Sequence, residues 1–144
     1  MATPDIASKP QFTLDKDSNY HTTTIYSFAF TDKIKEDVNY FLGILNSNIL
    51  WFFLNSTGNI LRGGYFRFKS EYLKPFPIKL IDFSDKTEKL HHDKIVKLVD
   101  ELLVLNANPE KNKTKIDAAE SEINDRVYAL YGITDPKDIE VIEG

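Results

Sequence analysis

An apolar stripe with helical spacing runs from Lys35 to Leu54. Its apolar positions are Val38, Phe41, Leu42, Ile44, Leu45, Ile49, Leu50, Phe52 and Phe53. This spacing predicts a helix with a broad apolar face, which must be covered by other elements and therefore lies deep in the molecule. Thr31-Asp32 provides a candidate cap at its start, and Ser56-Thr57-Gly58 provides a candidate end.

Two strand-like segments precede this helix. Phe12–Leu14 and Thr22–Phe30 lie on either side of residues 15–19, whose Asp, Ser and Asn side chains are typical of turns. The pattern predicts a β-hairpin formed by the two segments. The first ten residues are mostly small and polar, and we expect them to be flexible.

A second alternating segment follows the helix. It begins with a Gly63-Gly64 turn, and its alternation places Phe66 and Phe68 on the face that packs into the core. The opposite face is basic and carries an aromatic side chain. It consists of Tyr65, Arg67 and Lys69.

The last part of the chain has the spacing of two amphipathic helices, over residues 86–105 and 116–131, joined by a loop over residues 106–115. Gly132 is a candidate helix end, and Asp135-Pro136 begins a short terminal helix. The patterns together predict an α+β fold. A domain with a small mixed β-sheet and a buried helix spans residues 1–80, and an antiparallel helical hairpin with the terminal helix spans residues 81–144.

Charge is distributed unevenly along the chain. The whole chain has a net charge of −4, but residues 60–80 contain five basic residues and one acidic residue. Residues 81–144 contain nine basic and fifteen acidic residues. A local charge of +4 within an acidic chain predicts a surface that meets phosphate. We expect the C-terminal segment to face away from phosphate or to face another protein.

Composition excludes several classes. The absence of cysteine excludes disulfides and thiolate metal sites, and no run of 18 apolar residues or signal-type segment is present. We therefore expect a cytoplasmic protein without membrane contact. The three histidines, His21, His91 and His92, do not form a credible nucleophile–base or metal constellation. No catalytic residue, metal or cofactor is predicted, and the His91-His92 pair is expected to be solvated.

Three segments resemble a known family in order and spacing. The first is Asn39-Tyr40-Phe41-Leu42-Gly43-Ile44-Leu45-Asn46-Ser47. The second is Gly63-Gly64-Tyr65-Phe66-Arg67-Phe68-Lys69, continued by Tyr72-Leu73-Lys74-Pro75-Phe76-Pro77-Ile78. The third, Ile123–Thr134, is similar to the helix that closes large fused restriction–modification enzymes. Over residues 9–142 the chain resembles the TaqI-like C-terminal specificity domain of adenine-specific DNA methyltransferases.

The resemblance implies a bacterial target-recognition domain that reads double-stranded DNA and presents it to a methyltransferase domain, and in fused enzymes also to a nuclease. The chain departs from a whole enzyme, because it has no Asn-Pro-Pro-Tyr or Asp-Pro-Pro-Tyr motif and no Gly-rich cofactor loop. Its one Asn-Pro pair, Asn108-Pro109, is followed by Glu110. Catalysis is therefore expected in another part of the parent enzyme.

The candidate DNA-contacting residues form two groups. The main group is Arg62, Gly63, Gly64, Tyr65, Arg67, Lys69, Tyr72 and Lys74. The second group is Tyr20, His21, Thr22 and Thr23, whose polar side chains follow the predicted turn. Simpler structural roles stay open for all of them. The charged residues would only be solvated, the two glycines would form an ordinary turn, Tyr65 and Tyr72 would be half-buried core residues, and residues 20–23 would be turn and edge-strand residues. A rival function also stays open, in which the helical hairpin is a protein-docking surface without DNA binding.

Overall fold

The computed structural model describes residues 1–15, 24–58 and 60–144 of the chain. Its strands are β1 (Ala2–Pro4), β2 (Ile6–Ala7), β3 (Ile25–Ser27), β4 (Ile60–Leu61) and β5 (Tyr65–Arg67). Its helices are α1 (Val38–Leu45), α2 (Asn48–Thr57), α3 (Ser70–Leu73), α4 (Lys86–Leu105), α5 (Pro109–Leu130) and α6 (Pro136–Glu143). The predicted α+β class is confirmed. None of the helices in these ranges is long and apolar enough to cross a membrane.

The strands form two small antiparallel sheets, with the orders β1-β3 and β2-β5-β4. The first ten residues thus supply two strands instead of a lead outside the fold, and Ala2 and Thr3 are buried. The predicted hairpin has the wrong partners, because β3 pairs with β1 and Thr13 forms two backbone hydrogen bonds with Ala2, at 2.8 and 2.9 Å. Pairing between distant segments depends on packing, which local alternation does not report.

The apolar segment Lys35–Leu54 was predicted as one helix but forms two, α1 and α2. The break lies at Asn46, whose side-chain oxygen accepts a hydrogen bond from the Phe12 N–H (2.8 Å). Its amide nitrogen donates to the Phe12 carbonyl (3.0 Å). An asparagine held by a neighbouring backbone favours a helix end over a helix interior. Asp37, and not Thr31-Asp32, caps α1.

The antiparallel helical hairpin is formed by α4 and α5. Asp85 caps α4 by accepting hydrogen bonds from two backbone N–H groups of its first turn. The predicted loop is too long, because residues 110–115 already belong to α5, which begins at Pro109. Proline is well suited to the first helical position. The ion pair between Lys113 and Asp117 (3.0 Å) further supports the helix there.

One hydrophobic cluster includes side chains from both predicted segments. Tyr40 and Phe68 belong to it, and so do Ile95 of α4 and Val127 of α5. All four are essentially inaccessible to solvent. The sheets and the helical hairpin thus cover one shared core. The division into two domains at Leu80 stays a prediction.

Candidate nucleic-acid interface

The β4–β5 connection is a three-residue loop, because Leu61 pairs directly with Tyr65. Gly63 and Gly64 have φ angles of 91° and 79°, a region that side chains with a Cβ rarely adopt. The Gly64 N–H donates to the Leu61 carbonyl (3.2 Å) and closes the turn. The two glycines thus place the exposed Arg62 at the tip of the hairpin.

The two faces of β5 differ as the alternation predicts. Phe66 and Phe68 are buried, whereas Tyr65 is 47% exposed. Trp51 of α2 packs edge-on against Phe66, with 4.7 Å between ring centroids, and Phe12 packs edge-on against Phe68 at 6.1 Å. These aromatic contacts anchor the inner face, so the outer face is held in a fixed position.

Strand β2 adds a residue to the outer face that sequence reasoning did not single out. Ile6 pairs with Arg67 across the antiparallel ladder, and Ala7 pairs with the buried Phe66. Directly paired residues share a face of the sheet, so Ile6, Arg67 and Tyr65 lie on the same side. Ile6 is 47% exposed. The only sequence signal for it is a single apolar residue among small and polar neighbours.

The remaining candidate residues of the main group follow β5. Lys69 occupies the cap position of α3, where its carbonyl accepts from the Tyr72 N–H (3.0 Å). Tyr72 is half-buried within α3, and Lys74 is exposed at its end. The main group therefore lies along one continuous segment of the chain, with a sheet face followed by a helical turn. Residues 20–23, the second group, lie outside the described residues.

The cations of this stretch differ in their ionic partners. Lys79 forms an ion pair with Glu88 at 2.6 Å, and this pairing neutralises it. Within the described ranges, no carboxylate pairs with the other four basic residues of the stretch. These four are Arg62, Arg67, Lys69 and Lys74. With respect to the described residues, these four charges are candidates to bind an external anion.

The sequence predicted that both adjacent histidines are solvated, but one of them is buried. His92 is buried, its Nε2 accepts a hydrogen bond from the Asp37 N–H (3.2 Å), and its Nδ1 lies 2.9 Å from an Asp93 carboxylate oxygen. Burial, followed by the nearby Arg126 charge, lowers the pKa of His91. Across the described part of the chain, no cluster of three or more His, Asp or Glu residues is arranged to hold a metal ion.

A cavity of about 360 Å³ lies between the α1–α2 junction and the α4–α5 hairpin. Two of its polar side chains already bond to protein. The Asn124 side-chain oxygen accepts from the Asn48 N–H (2.8 Å), and the Ser47 hydroxyl donates to the Ile44 carbonyl (2.7 Å).

The fold and the hairpin face define a small α+β module that presents one anchored sheet face with adjacent cations. Residues 1–78 match the family model described as the TaqI-like C-terminal specificity domain, and the chain belongs to that family. The resemblance noted in the sequence is thereby confirmed over these residues. A specificity domain is not itself a catalytic domain, in keeping with the absence of a catalytic motif from the sequence.

Two curated relatives support the same assignment. One is the type II methyltransferase M.HincII of Haemophilus influenzae, 27% identical over 116 residues, which are 74% of this chain and 23% of that protein. The other is the type II methyltransferase M.HindII of Haemophilus influenzae strain ATCC 51907 / DSM 11121 / KW20 / Rd, also 27% identical over 116 residues, with 74% and 22% covered. The chain therefore spans less than a quarter of the length of these relatives.

Proposed function

We propose that this chain is the target-recognition part of a restriction–modification enzyme and binds double-stranded DNA through the β4–β5 hairpin and α3. The observation that carries the proposal is the set of four basic residues, Arg62, Arg67, Lys69 and Lys74, that are free of carboxylate partners in the described structure. They are adjacent to an exposed glycine turn in a member of a specificity-domain family.

The parts of this surface suit different contacts with a duplex. The glycine turn lets the backbone approach a phosphate closely, because no Cβ projects from it. Lys69 and Lys74 act as point charges toward phosphates, which fix orientation without reading sequence. Arg67 projects from the anchored sheet face, where its planar guanidinium can form two hydrogen bonds with guanine O6 and N7 in the major groove.

Catalysis is assigned to another part of the parent enzyme. The matched relatives are methyltransferases by name, and this chain has no motif for a flipped adenine or for a cofactor. The partner of this module is therefore a methyltransferase domain and, in fused enzymes, a nuclease domain. The net charge of −6 over residues 81–144 disfavours contact with phosphate, so the helical hairpin is the side that faces the catalytic part.

A protein-docking function without DNA binding is the second candidate. It is favoured by two apolar side chains near the end of α4, Leu103 and Val104, which are 40% and 74% exposed. Exposed apolar groups close together on a helix are typical of protein contacts. The two candidates differ in their response to salt, because an apolar contact releases no counterions from DNA.

The test is a fluorescence-anisotropy titration of random duplex DNA at 50 and 200 mM salt. About three phosphate contacts, one for each of the four basic residues except Arg67, imply roughly fortyfold weaker binding at the higher salt. Substituting Arg62, Arg67 and Lys69 together by Ala should weaken binding. It should also lower the slope of log affinity against log salt by roughly 0.9 for each residue that contacts a phosphate.

The matched control removes the same number of charges from the acidic segment, by substituting the exposed Lys94, Lys97 and Lys111 by Ala. This control should keep most of the affinity and the wild-type salt slope. Equal losses in the two triple variants would show a response to net charge alone and would contradict the hairpin site. A folded wild-type protein that does not bind DNA at 50 mM salt would transfer the assignment to protein docking.

A further inference from the structure

The outer face of the β2-β5-β4 sheet contains an apolar side chain that packing does not explain. Ile6 is 47% exposed, whereas Ala7 and Phe66 on the other face of the sheet are buried. The residues on either side of Ile6 are turned from the outer face, since Ala7 on β2 is 5% exposed and the Oδ1 atom of Asp5, just before β2, is buried. Ile6 is therefore the residue of this segment that faces outward.

The position of Ile6 is fixed relative to Arg67. The two residues are direct partners in the antiparallel ladder, where paired Cβ atoms lie about 5 Å apart. The Phe68 N–H donates to the Asp5 carbonyl (2.7 Å), which continues the pairing beyond the strand ends. A slip of β2 by one residue would turn Ile6 inward and Ala7 outward. The buried Phe66 and Ala7 oppose such a slip.

We propose that Ile6 is a specificity-determining residue that contacts the C5-methyl group of a thymine in the major groove, beside the base that faces Arg67. This inference rests on the proposed DNA-binding function and extends it to a particular base. Thymine alone of the four bases presents a methyl group in the major groove, and an apolar side chain recognises it by direct contact. A branched apolar side chain paired directly with an arginine combines an apolar contact with a hydrogen-bonding one.

Charge favours DNA over a protein as the occupant of this face. Arg67 lies beside Ile6, and Arg62, Lys69 and Lys74 are close to it in the chain. Among the described residues, none of these four has a carboxylate partner. A phosphate-lined groove complements this distribution. An apolar protein partner would bury Arg67 without supplying its counter-charge, which is costly.

The test removes only the methyl group. Duplexes that bind the wild-type chain are selected from a randomised 20-base-pair pool at 50 mM salt and synthesised again with deoxyuridine in place of thymidine. Uracil forms the same base pair as thymine but lacks the C5-methyl group. We expect the wild-type affinity to fall roughly three- to fivefold, the effect of burying about one methyl group. Ile6→Ala should bind the thymine duplex more weakly and bind both duplexes equally.

The control is Ile25→Ala, since Ile25 is a second exposed isoleucine, 38% accessible, on β3 of the other sheet. This variant should keep both the wild-type affinity and the preference for thymine. Because the preference is a ratio measured on one protein, a general loss of affinity cancels from it. The comparison of the two duplexes with wild-type protein does not depend on any variant folding.

Three results would overturn the inference. They are equal wild-type affinity for both duplexes, an unchanged thymine preference in Ile6→Ala, and selected duplexes without thymine. If salt-sensitive binding that depends on Arg67 persists in those cases, the proposed DNA-binding function still stands. The absence of any DNA binding by folded wild-type protein would instead overturn both proposals and leave the face to a protein partner.

Discussion

His91 and His92 are consecutive residues of α4 but have different surroundings. His92 packs between the rings of Tyr40 and Phe83, with centroid distances of 5.0 and 5.2 Å, and accepts a hydrogen bond from the first residue before α1. His91 has a buried Nδ1 atom without a hydrogen-bond partner among the described residues and lies near the charge of Arg126. Protonation of His91 would place a second positive charge in a partly desolvated position.

His91 should therefore make the free energy of unfolding depend on pH. Burial, then the Arg126 charge, lowers its pKa in the folded state below the ordinary value of 6.5. The unfolded chain then binds the proton more readily, so stability is constant above pH 6.5, falls as the pH drops through that value and levels off below the folded pKa. Urea unfolding between pH 7.5 and 5.5 should show this fall, and His91→Gln should reduce it.

The pH window separates this effect from that of the carboxylates. The pKa values of Asp82, Glu88 and Asp93 are lowered, chiefly by hydrogen bonds from Ser84, Lys79 and Lys89 respectively. Their stabilisation is complete above their ordinary values of 3.8 to 4.5 and is lost only below that range. If the His91→Gln variant showed the full wild-type fall between pH 7.5 and 5.5, another group would be responsible.

At the scale of elements, the packing of α1 against α4 depends on Gly43. A Cβ atom added at Gly43 would lie 2.6 Å from the Cγ2 atom of Ile95 and 3.4 Å from that of Val99. Ile95 is fully buried and branched at Cβ, so its methyl group cannot easily move aside. The glycine therefore allows the two helices to approach closely. This approach holds the Leu42–Ile44 turn of α1 in the core.

Gly43→Ala should lower the free energy of unfolding by about 1–3 kcal/mol, the usual cost of overpacking a dense core. This loss would appear although alanine favours a helix over glycine by about 1 kcal/mol. The measurement is urea denaturation followed by circular dichroism. In Gly43→Ala/Ile95→Ala the clash is absent, so the double variant should be more stable than the sum of the single effects implies. Additive effects would show that the two side chains do not meet.

Elements with their own periodic signal were predictable from the sequence. The stripes of α4 and α5, the Gly63-Gly64 turn and the alternation of β5 each follow from local residue spacing. The end of α1 was not predictable, because it depends on Asn46 bonding to Phe12, 34 residues away. Strands β1 and β2 were missed for the same reason. Their small residues become strand residues only through distant partners.

This difference also decides which part of the candidate site could be found. Arg62, Arg67, Lys69 and Lys74 form a local charge cluster, so composition and alternation were enough to select them. Ile6 has no such signal, and only its pairing with Arg67 brings it to the same face. When distant segments form one sheet face, the sequence therefore predicts only the site residues of the segment that carries the charges.

At the scale of the whole molecule, the segment between α3 and α4 is fixed on several sides. The Tyr40 hydroxyl donates to the Lys79 carbonyl (2.7 Å). The Tyr131 hydroxyl donates to the Pro77 carbonyl (2.8 Å) and accepts from the Lys79 N–H (3.2 Å). The Ile81 N–H donates to a carboxylate oxygen of an acidic residue before α1 (2.8 Å). This connection is thus built into the fold, although the family match ends at residue 78.

The shared core and the fixed connection imply that the chain unfolds as one unit. Two signals report on its two parts: the single tryptophan, Trp51, lies in α2, and far-UV circular dichroism is dominated by the long helices α4 and α5. Both signals should give the same urea midpoint, as expected for a two-state transition.

Tyr131→Phe leaves the Lys79 N–H without its partner and should cost about 1 kcal/mol. It should shift both midpoints equally. Separate midpoints in the wild type, or a Tyr131→Phe shift seen by circular dichroism alone, would mean that the sheets and the helical hairpin fold independently. In that case the outer face of β5 would not depend on α4 and α5 for its position.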